Sequence, residues 1–172
     1  MRACRTHEGV EMNVYEYAMQ MEKDGEAYYR EGASRVGHRG LKAILTMLAD
    51  AEVAHYKVFS LMKEHKPWQA GDEPLLANVK NVFIKMKEEG NLEGLGGSEI
   101  ELYKKAQDIE QKTETFYREK GAEVTEAAER ETFLQVAAEE KKHYFILQQV
   151  IDFVSRPESW LENAEWYHLD EY

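Results

Sequence analysis

The sequence has little of what builds sulfur-based sites, loop-rich folds or membrane spans. Its 172 residues include one cysteine, Cys4, so the chain cannot form an internal disulfide or a metal site from paired Cys-x-x-Cys ligands. It has only 3 prolines, which favours a helical chain over a disordered one. No stretch approaches the roughly 20 apolar residues of a membrane-crossing helix, and the N-terminus lacks an apolar signal segment. We therefore expect a cytoplasmic protein without a membrane partner.

Basic residues are also scarce relative to acidic ones. The chain has 22 Lys and Arg against 33 Asp and Glu, which gives a formal net charge of −11. A protein of this charge without a basic patch repels phosphate backbones, so we expect no nucleic-acid partner. The length suits one domain with one substantial core, and we assign residues 1–172 to a single domain.

Apolar residues recur at helical spacing in four long segments. Hydrophobic residues make up 43% of the chain, and they return every three or four positions, as on one face of an amphipathic helix. The pattern predicts helices over about 13–36, 41–65, 98–120 and 125–154. The third of these begins near Ser98, with Glu101 placed to complete a capping box.

The spacing of these segments predicts how they are connected. Short turns separate the two members of each pair, so each pair should form an antiparallel hairpin. A crossover over 66–97, with a short helix from about Pro74 to Glu88, joins the hairpins. The tail, 155–172, should form a short amphipathic helix that packs on the bundle or on a second subunit. The sequence thus predicts an all-α four-helix bundle with a ferritin-like path.

One polar pattern occurs twice, 88 residues apart, on these helices. In each hairpin a glutamate on the first helix is followed, 30 residues later, by Glu-x-x-His-Tyr on the second. The repeated ligand-type residues are Glu22, Glu52, His55, Glu110, Glu140 and His143. Residues at i and i+3 share one helix face, and all six lie within the apolar stripes. We predict that their side chains converge at the centre of the bundle.

Four carboxylates buried together require compensation. Even one unpaired ion in a low dielectric costs several kcal/mol or more, whereas two divalent cations balance four carboxylates and two neutral imidazoles. Oxygen and nitrogen ligation suits iron or manganese better than calcium or structural zinc. One Glu from each of two helices plus Glu-x-x-His from each of the others is the pattern of di-iron and di-manganese bundles. The alternative interpretation is a buried polar cluster without metal.

These motifs resemble those of the rubrerythrin-like branch of the ferritin-like superfamily. The resemblance covers residues 13–154 apart from the crossover, and it includes both copies of the Glu and Glu-x-x-His pattern. It implies that Glu52 and Glu140 bridge two iron ions. Glu22 and His55 would then complete the coordination of one ion, and Glu110 and His143 that of the other. Manganese or a mixed pair is the alternative to iron.

The sequence departs from the family pattern in two places. Classical rubrerythrins carry a rubredoxin domain with four Cys ligands, so one cysteine here implies an external electron donor such as a rubredoxin-like protein. They also place an extra Glu three residues after the third-helix ligand, and that position is Thr113 here. Glu114 and its repeat mate Glu26 are candidate replacements, although each also fits a solvent-facing helix position.

The resemblance implies an enzyme, a di-iron peroxidase that acts in oxidative stress. It would reduce hydrogen peroxide, with dioxygen as the alternative oxidant, and the six ligand-type residues would be both its metal ligands and its catalytic residues. Two other functions stay open: a ferroxidase or iron-handling protein, and a non-catalytic helical interaction module with a structural metal site. We expect a homodimer or a higher homo-oligomer.

Two tyrosines and three histidines outside the repeated motif complete the candidates. Tyr29 and Tyr117 follow their glutamates by seven residues, two turns along the same face. Each phenol could hydrogen-bond a ligand or relay an electron; the alternative is a tyrosine packed in the core with its hydroxyl satisfied. His7, His38 and His65 lie in the N-terminal arm, in a turn and near a helix end, so we predict surface positions for them.

Overall fold

The computed structural model describes residues 4–5, 11–66, 68, 74–90, 92–95, 99–157 and 159–160. Five helices occupy most of this part of the chain: α1 (Val14–Arg35), α2 (Arg39–Lys63), α3 (Leu75–Glu89), α4 (Ile100–Glu123) and α5 (Ala127–Ser155). A short antiparallel pair, β1 (Cys4–Arg5) and β2 (Glu11–Met12), precedes them; the sequence patterns do not predict it. Among the described helices, none combines the length and apolar character that crossing a membrane requires.

Local hydrogen bonds explain where α1 begins. Asn13 Oδ1 accepts a hydrogen bond from the backbone N–H of Tyr15 at 2.9 Å, and Glu16 Oε2 accepts one from the N–H of Asn13 at 3.2 Å. These bonds form a capping box, which satisfies N–H groups that a helix N-terminus otherwise leaves without partners. The structure therefore starts α1 within one residue of the predicted position.

His38 has a similar role at the start of α2. Its Nδ1 accepts hydrogen bonds from the backbone N–H groups of Gly40 at 3.2 Å and Leu41 at 3.4 Å. The residue is only 5% exposed, so the prediction of a surface position is wrong for this histidine. The ring is buried because it caps the helix and also packs against Phe153, with ring centroids 6.2 Å apart. His65 is exposed as predicted, and His7 lies outside the described residues.

The third long helix begins slightly later than predicted. α4 starts at Ile100, and its N-cap residue, Glu99, makes no side-chain capping bond. Ser98, on which the predicted capping box depends, lies outside the described residues. The end of this helix also differs from the predicted one at about residue 120, because α4 continues to Glu123 before the turn into α5. The remaining predicted bounds agree with the structure within a few residues.

The long helices pack as two hairpins. α1 runs along α2 and α4 runs along α5, each pair joined by a short turn, while α3 lies in the crossover and contacts α2 and α5. The buried face of α3 includes Phe83, whose ring lies 6.0 Å from that of Phe153 and 4.6 Å from that of Trp160. The start of the tail therefore packs on the bundle, as predicted; residues 161–172 are outside the described part.

The apolar core is divided in two, with the polar cluster between its halves. One half surrounds Leu48 and Phe83, near the α1–α2 turn, and the other surrounds Phe59 and Phe133, toward the opposite end of the bundle. On α2, for example, Glu52 and His55 lie between Leu48 and Phe59, all of them buried. The fold thus holds the repeated motif between two packed apolar layers, which fix the helices that carry it.

Candidate metal centre

The structure brings all six repeated side chains together. None of them is more than 3% exposed: Glu22, Glu52, His55, Glu110, Glu140 and His143. They form two overlapping groups of four, in each of which one ligand atom per residue lies within 4.8 Å of the others. The first group is Glu22, Glu52, His55 and Glu140, and the second group is Glu52, Glu110, Glu140 and His143. Glu52 and Glu140 therefore belong to both groups.

The two histidines present the same ring nitrogen to the cluster. His55 Nδ1 lies 2.9 Å from Glu140 Oε1, and His143 Nδ1 lies 3.3 Å from Glu140 Oε2 and 3.1 Å from Glu52 Oε1. The imidazole rings are nearly parallel, with centroids 5.4 Å apart and planes 18° from each other. The cluster consequently has an approximate two-fold arrangement that follows the repeat in the sequence.

The inward-facing atoms fit a pair of cations. Six of them are buried without a hydrogen-bond partner: Glu22 Oε2, Glu52 Oε1, His55 Nδ1, both carboxylate oxygens of Glu140, and His143 Nδ1. Each such atom costs about 1–3 kcal/mol if nothing binds it, and native proteins leave few of them. The nitrogens and oxygens lie close together but are poorly directed for hydrogen bonds to one another. This is the arrangement expected of ligand atoms that bind a common metal ion. Their mixed oxygen and nitrogen chemistry suits iron or manganese.

Two tyrosines bind the outer oxygens of two glutamates. The Tyr29 hydroxyl on α1 donates to Glu110 Oε1 on α4, and the Tyr117 hydroxyl on α4 donates to Glu22 Oε1 on α1. Both tyrosines are at most 2% exposed. Each ring therefore packs in the core, and each hydroxyl also bonds a ligand-type residue, so the two roles predicted as alternatives occur together. Burial, followed by the charge of the partner glutamate, raises both tyrosine pKa values well above normal, so the hydroxyls stay protonated donors.

Burial and mutual repulsion change the protonation of the cluster when it holds no metal. Burial first, and the charge of Glu140 second, raise the pKa of Glu110 to about 8 and that of Glu52 well above its usual range. Burial favours the neutral form of His55 and His143, but the adjacent carboxylates outweigh it and raise both histidine pKa values. At neutral pH the cluster therefore retains protons, which metal binding has to displace.

Glu139 contacts a histidine of the cluster, and the repeat in the sequence does not reveal this contact. Its Oε2 lies 2.8 Å from His55 Nε2, the ring nitrogen that faces away from the cluster, and its side chain is 26% exposed. The only sequence signal was its position directly before Glu140. Its repeat mate is Ala51, so a search based on the internal symmetry passes over it.

The candidate replacements for the missing family glutamate do not join the cluster. Glu26 Oε1 lies 2.8 Å from Arg30 Nε, and Glu114 Oε1 lies 2.8 Å from Arg118 Nε, both as ion pairs along one helix. Thr113 Oγ1 donates to a backbone oxygen of its own helix at 3.0 Å. Within the described residues, the two groups of four thus contain no carboxylate beyond the four predicted.

Comparison with known families supports the same assignment. A family model described as Rubrerythrin matches residues 13–151 of the chain. That range contains both copies of the repeated motif, the crossover and nearly all of the four long helices. No curated protein and no solved structure gives a match. The assignment to a family therefore depends on the family model, and the geometry of the cluster agrees with it.

Proposed function

Because the chain belongs to the rubrerythrin family, a ferritin-like di-iron family, we propose that it is an oxidoreductase that reduces hydrogen peroxide at two iron ions. The observation that carries the proposal is the pair of overlapping four-residue groups with buried, unpartnered ligand atoms. The first group would hold one ion and the second group the other, with Glu52 and Glu140 shared. Manganese or a mixed pair is the alternative metal content.

The chemistry divides between the metals and the side chains. Two ferrous ions, when bound, supply the two electrons that with two protons convert one peroxide molecule into two waters, and an external donor such as a rubredoxin-like protein restores them. The chain's own residues would hold these ions. Tyr117 and Tyr29 bind the outer oxygens of Glu22 and Glu110, which leaves the inner oxygens directed toward His55 and His143, where the ions would bind. The apolar layers on both sides exclude water from the site.

The rate of oxidation by different oxidants tests this function. Metal-free protein is loaded anaerobically with ferrous iron and mixed in a stopped-flow instrument with hydrogen peroxide or with dioxygen. We expect two iron ions per chain and faster oxidation by peroxide. Glu52→Ala removes a ligand from both groups and should abolish the fast reaction. Glu131→Ala, at an exposed position on α5, is the matched control and should leave it unchanged.

The same measurements separate the other two functions. Oxidation by dioxygen at an equal or higher rate would contradict the peroxidase and favour a ferroxidase or iron-handling protein. Far fewer than two metal ions per chain, with all properties of Glu52→Ala like those of the unmodified protein, would favour a non-catalytic interaction module. The size of the assembly in solution adds a further distinction, because iron storage needs a large hollow shell, whereas a homodimer has no space for a mineral.

A further inference from the structure

The two halves of the cluster differ at the outer side of their histidines. His55 Nε2 is bound by Glu139 Oε2 at 2.8 Å. In the other half the position equivalent to Glu139, 88 residues earlier, is Ala51, whose methyl group cannot accept a hydrogen bond. The internal repeat that matches all six ligand-type residues is therefore broken at the residue that supports one of them.

A small cavity occupies the place of the missing carboxylate. It has a volume of about 30 Å³ and is lined by Ala51, Ala54, Leu75, Glu139, Lys142 and His143. His143 directs Nδ1 toward Glu52, Glu110 and Glu140, so its Nε2 faces away from them. No side chain in the described residues bonds this nitrogen. Its polar lining residues are Glu139, Lys142 and His143, and a space of this size accommodates about one water molecule.

This difference has a known physical consequence for metal binding. A carboxylate on the outer nitrogen of a histidine ligand fixes the ring orientation and the tautomer, and losing such a partner typically costs about 10–100-fold in metal affinity. A water molecule in a cavity constrains the ring less than a carboxylate on a packed helix. Glu139 and Lys142 both line this cavity, so their opposite charges offset each other there, and the two histidines differ in hydrogen bonding to their outer nitrogens.

We propose that the two metal positions are unequal: the first group binds its ion first and more tightly because Glu139 positions His55, whereas the second group binds the exchangeable ion. This inference rests on the proposed function, since it takes the two groups to be metal sites. Glu139 acts here as a positioning residue, through His55, and does not itself touch the metal. The proposal assigns each ion an order of loading and of release.

Variants that retain one group at a time test the proposal. Glu110→Ala leaves the first group complete, and Glu22→Ala leaves the second group complete. Each metal-free variant is titrated anaerobically with Co²⁺, and binding is followed by visible absorption and equilibrium dialysis. Adding Glu139→Ala should weaken Co²⁺ binding about 10–100-fold in the Glu110→Ala background and leave it unchanged in the Glu22→Ala background. Glu131→Ala should change neither.

The reverse substitution and a conservative one complete the design. Ala51→Glu supplies the missing carboxylate and should tighten binding in the Glu22→Ala background only. Glu139→Gln retains a hydrogen-bond acceptor without the charge, and it should lose less affinity than Glu139→Ala. If Ala51→Glu does not fold, as judged by circular dichroism, the Glu139 comparison alone decides.

Two results with the Glu139 variant would overturn the inference: Glu139→Ala weakens Co²⁺ binding equally in both backgrounds, which would indicate a general effect on the bundle, or it weakens binding in neither. The proposed function fails separately, in a way that these two results do not share: the unmodified protein would then bind no Co²⁺ at all. Two ions bound with equal affinity by the unmodified protein contradict only the inequality of the sites.

Discussion

Tyr117 connects the two hairpins through a single hydrogen bond to Glu22. Replacing it by Phe keeps the ring packed against Phe59, 4.8 Å away, but leaves a buried carboxylate oxygen without its donor. We expect Tyr117→Phe to lower the free energy of unfolding of the metal-free protein by about 1–3 kcal/mol, measured by urea denaturation. Tyr28→Phe is the control, since its part-buried hydroxyl bonds the neutral carbonyl of Leu102, and its effect should be smaller. Equal losses would contradict a special role for the bond to Glu22.

Gly25 leaves space for the carboxylate of Glu52. A Cβ at this position would lie 3.3 Å from Glu52 Oε2, so the carboxylate has to move when alanine is introduced. Metal ions would hold that carboxylate in place, whereas the metal-free protein allows it to shift. We expect Gly25→Ala to weaken Co²⁺ binding about 10-fold or more, while helix propensity raises the stability of the metal-free protein by up to about 1 kcal/mol.

Gly121→Ala provides the matched control for Gly25. It lies in α4, where a Cβ would make ordinary contacts, the nearest with Leu134 and Phe133 at 3.4 Å. It should gain the same helix propensity without changing metal binding. If both alanines leave Co²⁺ affinity unchanged, the closeness of Gly25 to Glu52 has no bearing on the site.

At the residue scale, the convergence of the six ligand-type side chains is predictable from a repeated pattern. Each of them has a mate 88 residues away and lies on an apolar stripe, and the structure brings them together; their role as metal ligands stays a prediction. The repeat does not reveal Glu139, because its mate is Ala51, and the sequence does not reveal the burial of His38, because capping depends on where a helix begins. Neither role leaves a periodic signal in the sequence, since both depend on contacts between particular atoms in the folded chain.

At the element scale, the crossover meets the first hairpin through two glycines. Gly94 has φ +78°, and a Cβ there would lie 2.9 Å from the backbone carbon of Gly37, in the α1–α2 turn. Gly90, which ends α3 with φ +59°, has nothing within 4 Å of the equivalent Cβ position. Gly90 and Gly94 both have left-handed backbone conformations, but only Gly94 lies close to another backbone segment. Comparing alanine at the two positions therefore separates the cost of backbone strain from the cost of steric contact.

We expect the two substitutions to differ in cost. Gly90→Ala should lower the free energy of unfolding by about 1–2 kcal/mol, the cost of a left-handed alanine. Gly94→Ala should cost more, because the turn must also move away from the new methyl group. Urea denaturation of both variants measures the difference. An equal cost would mean that the crossover moves freely at Gly94 and does not depend on its contact with Gly37.

The elements themselves were predictable because their signal extends over many residues. Helical periodicity located the four long helices, and it placed the crossover helix within one residue of Leu75–Glu89. The β1–β2 pair was not predicted, since two residues per strand are too few to show an alternating pattern. The start of α4 differed from the prediction because its N-cap, Glu99, makes no capping bond that a sequence motif would reveal.

At the scale of the whole molecule, the bundle is built around a cluster that opposes its own folding. Two packed apolar layers hold four carboxylates and two histidines away from water, where the charged forms are costly. Protons reduce this cost when no metal is bound, and cations would reduce it when metal is bound. The free energy of unfolding should therefore depend on pH, and this dependence should differ between the metal-free and the metal-loaded protein.

The sign of this coupling follows from the direction of the pKa shifts. In the metal-free folded protein the pKa of Glu110 is about 8, above the unfolded value of 4.5, because of burial and then Glu140. The pKa values of His55 and His143 are raised above 6.5 despite burial, by their adjacent carboxylates. The folded state thus binds more protons than the unfolded state above pH 6.5. Stability from these groups is complete below the unfolded pKa values and is lost as pH rises through the folded ones.

We therefore expect the free energy of unfolding of the metal-free protein to fall between about pH 6.5 and 8.5, by about 1.4 kcal/mol per pH unit for each extra proton retained. The metal-loaded protein should be more stable and lose this slope, since its ligands are already deprotonated and its cations bind the folded state. Glu110→Gln keeps the shape of the side chain but cannot titrate, so it should reduce the slope of the metal-free protein. Urea denaturation across this pH range measures all three. A slope that is flat or rising in the metal-free protein would mean that solvent reaches the cluster and that its carboxylates are already charged.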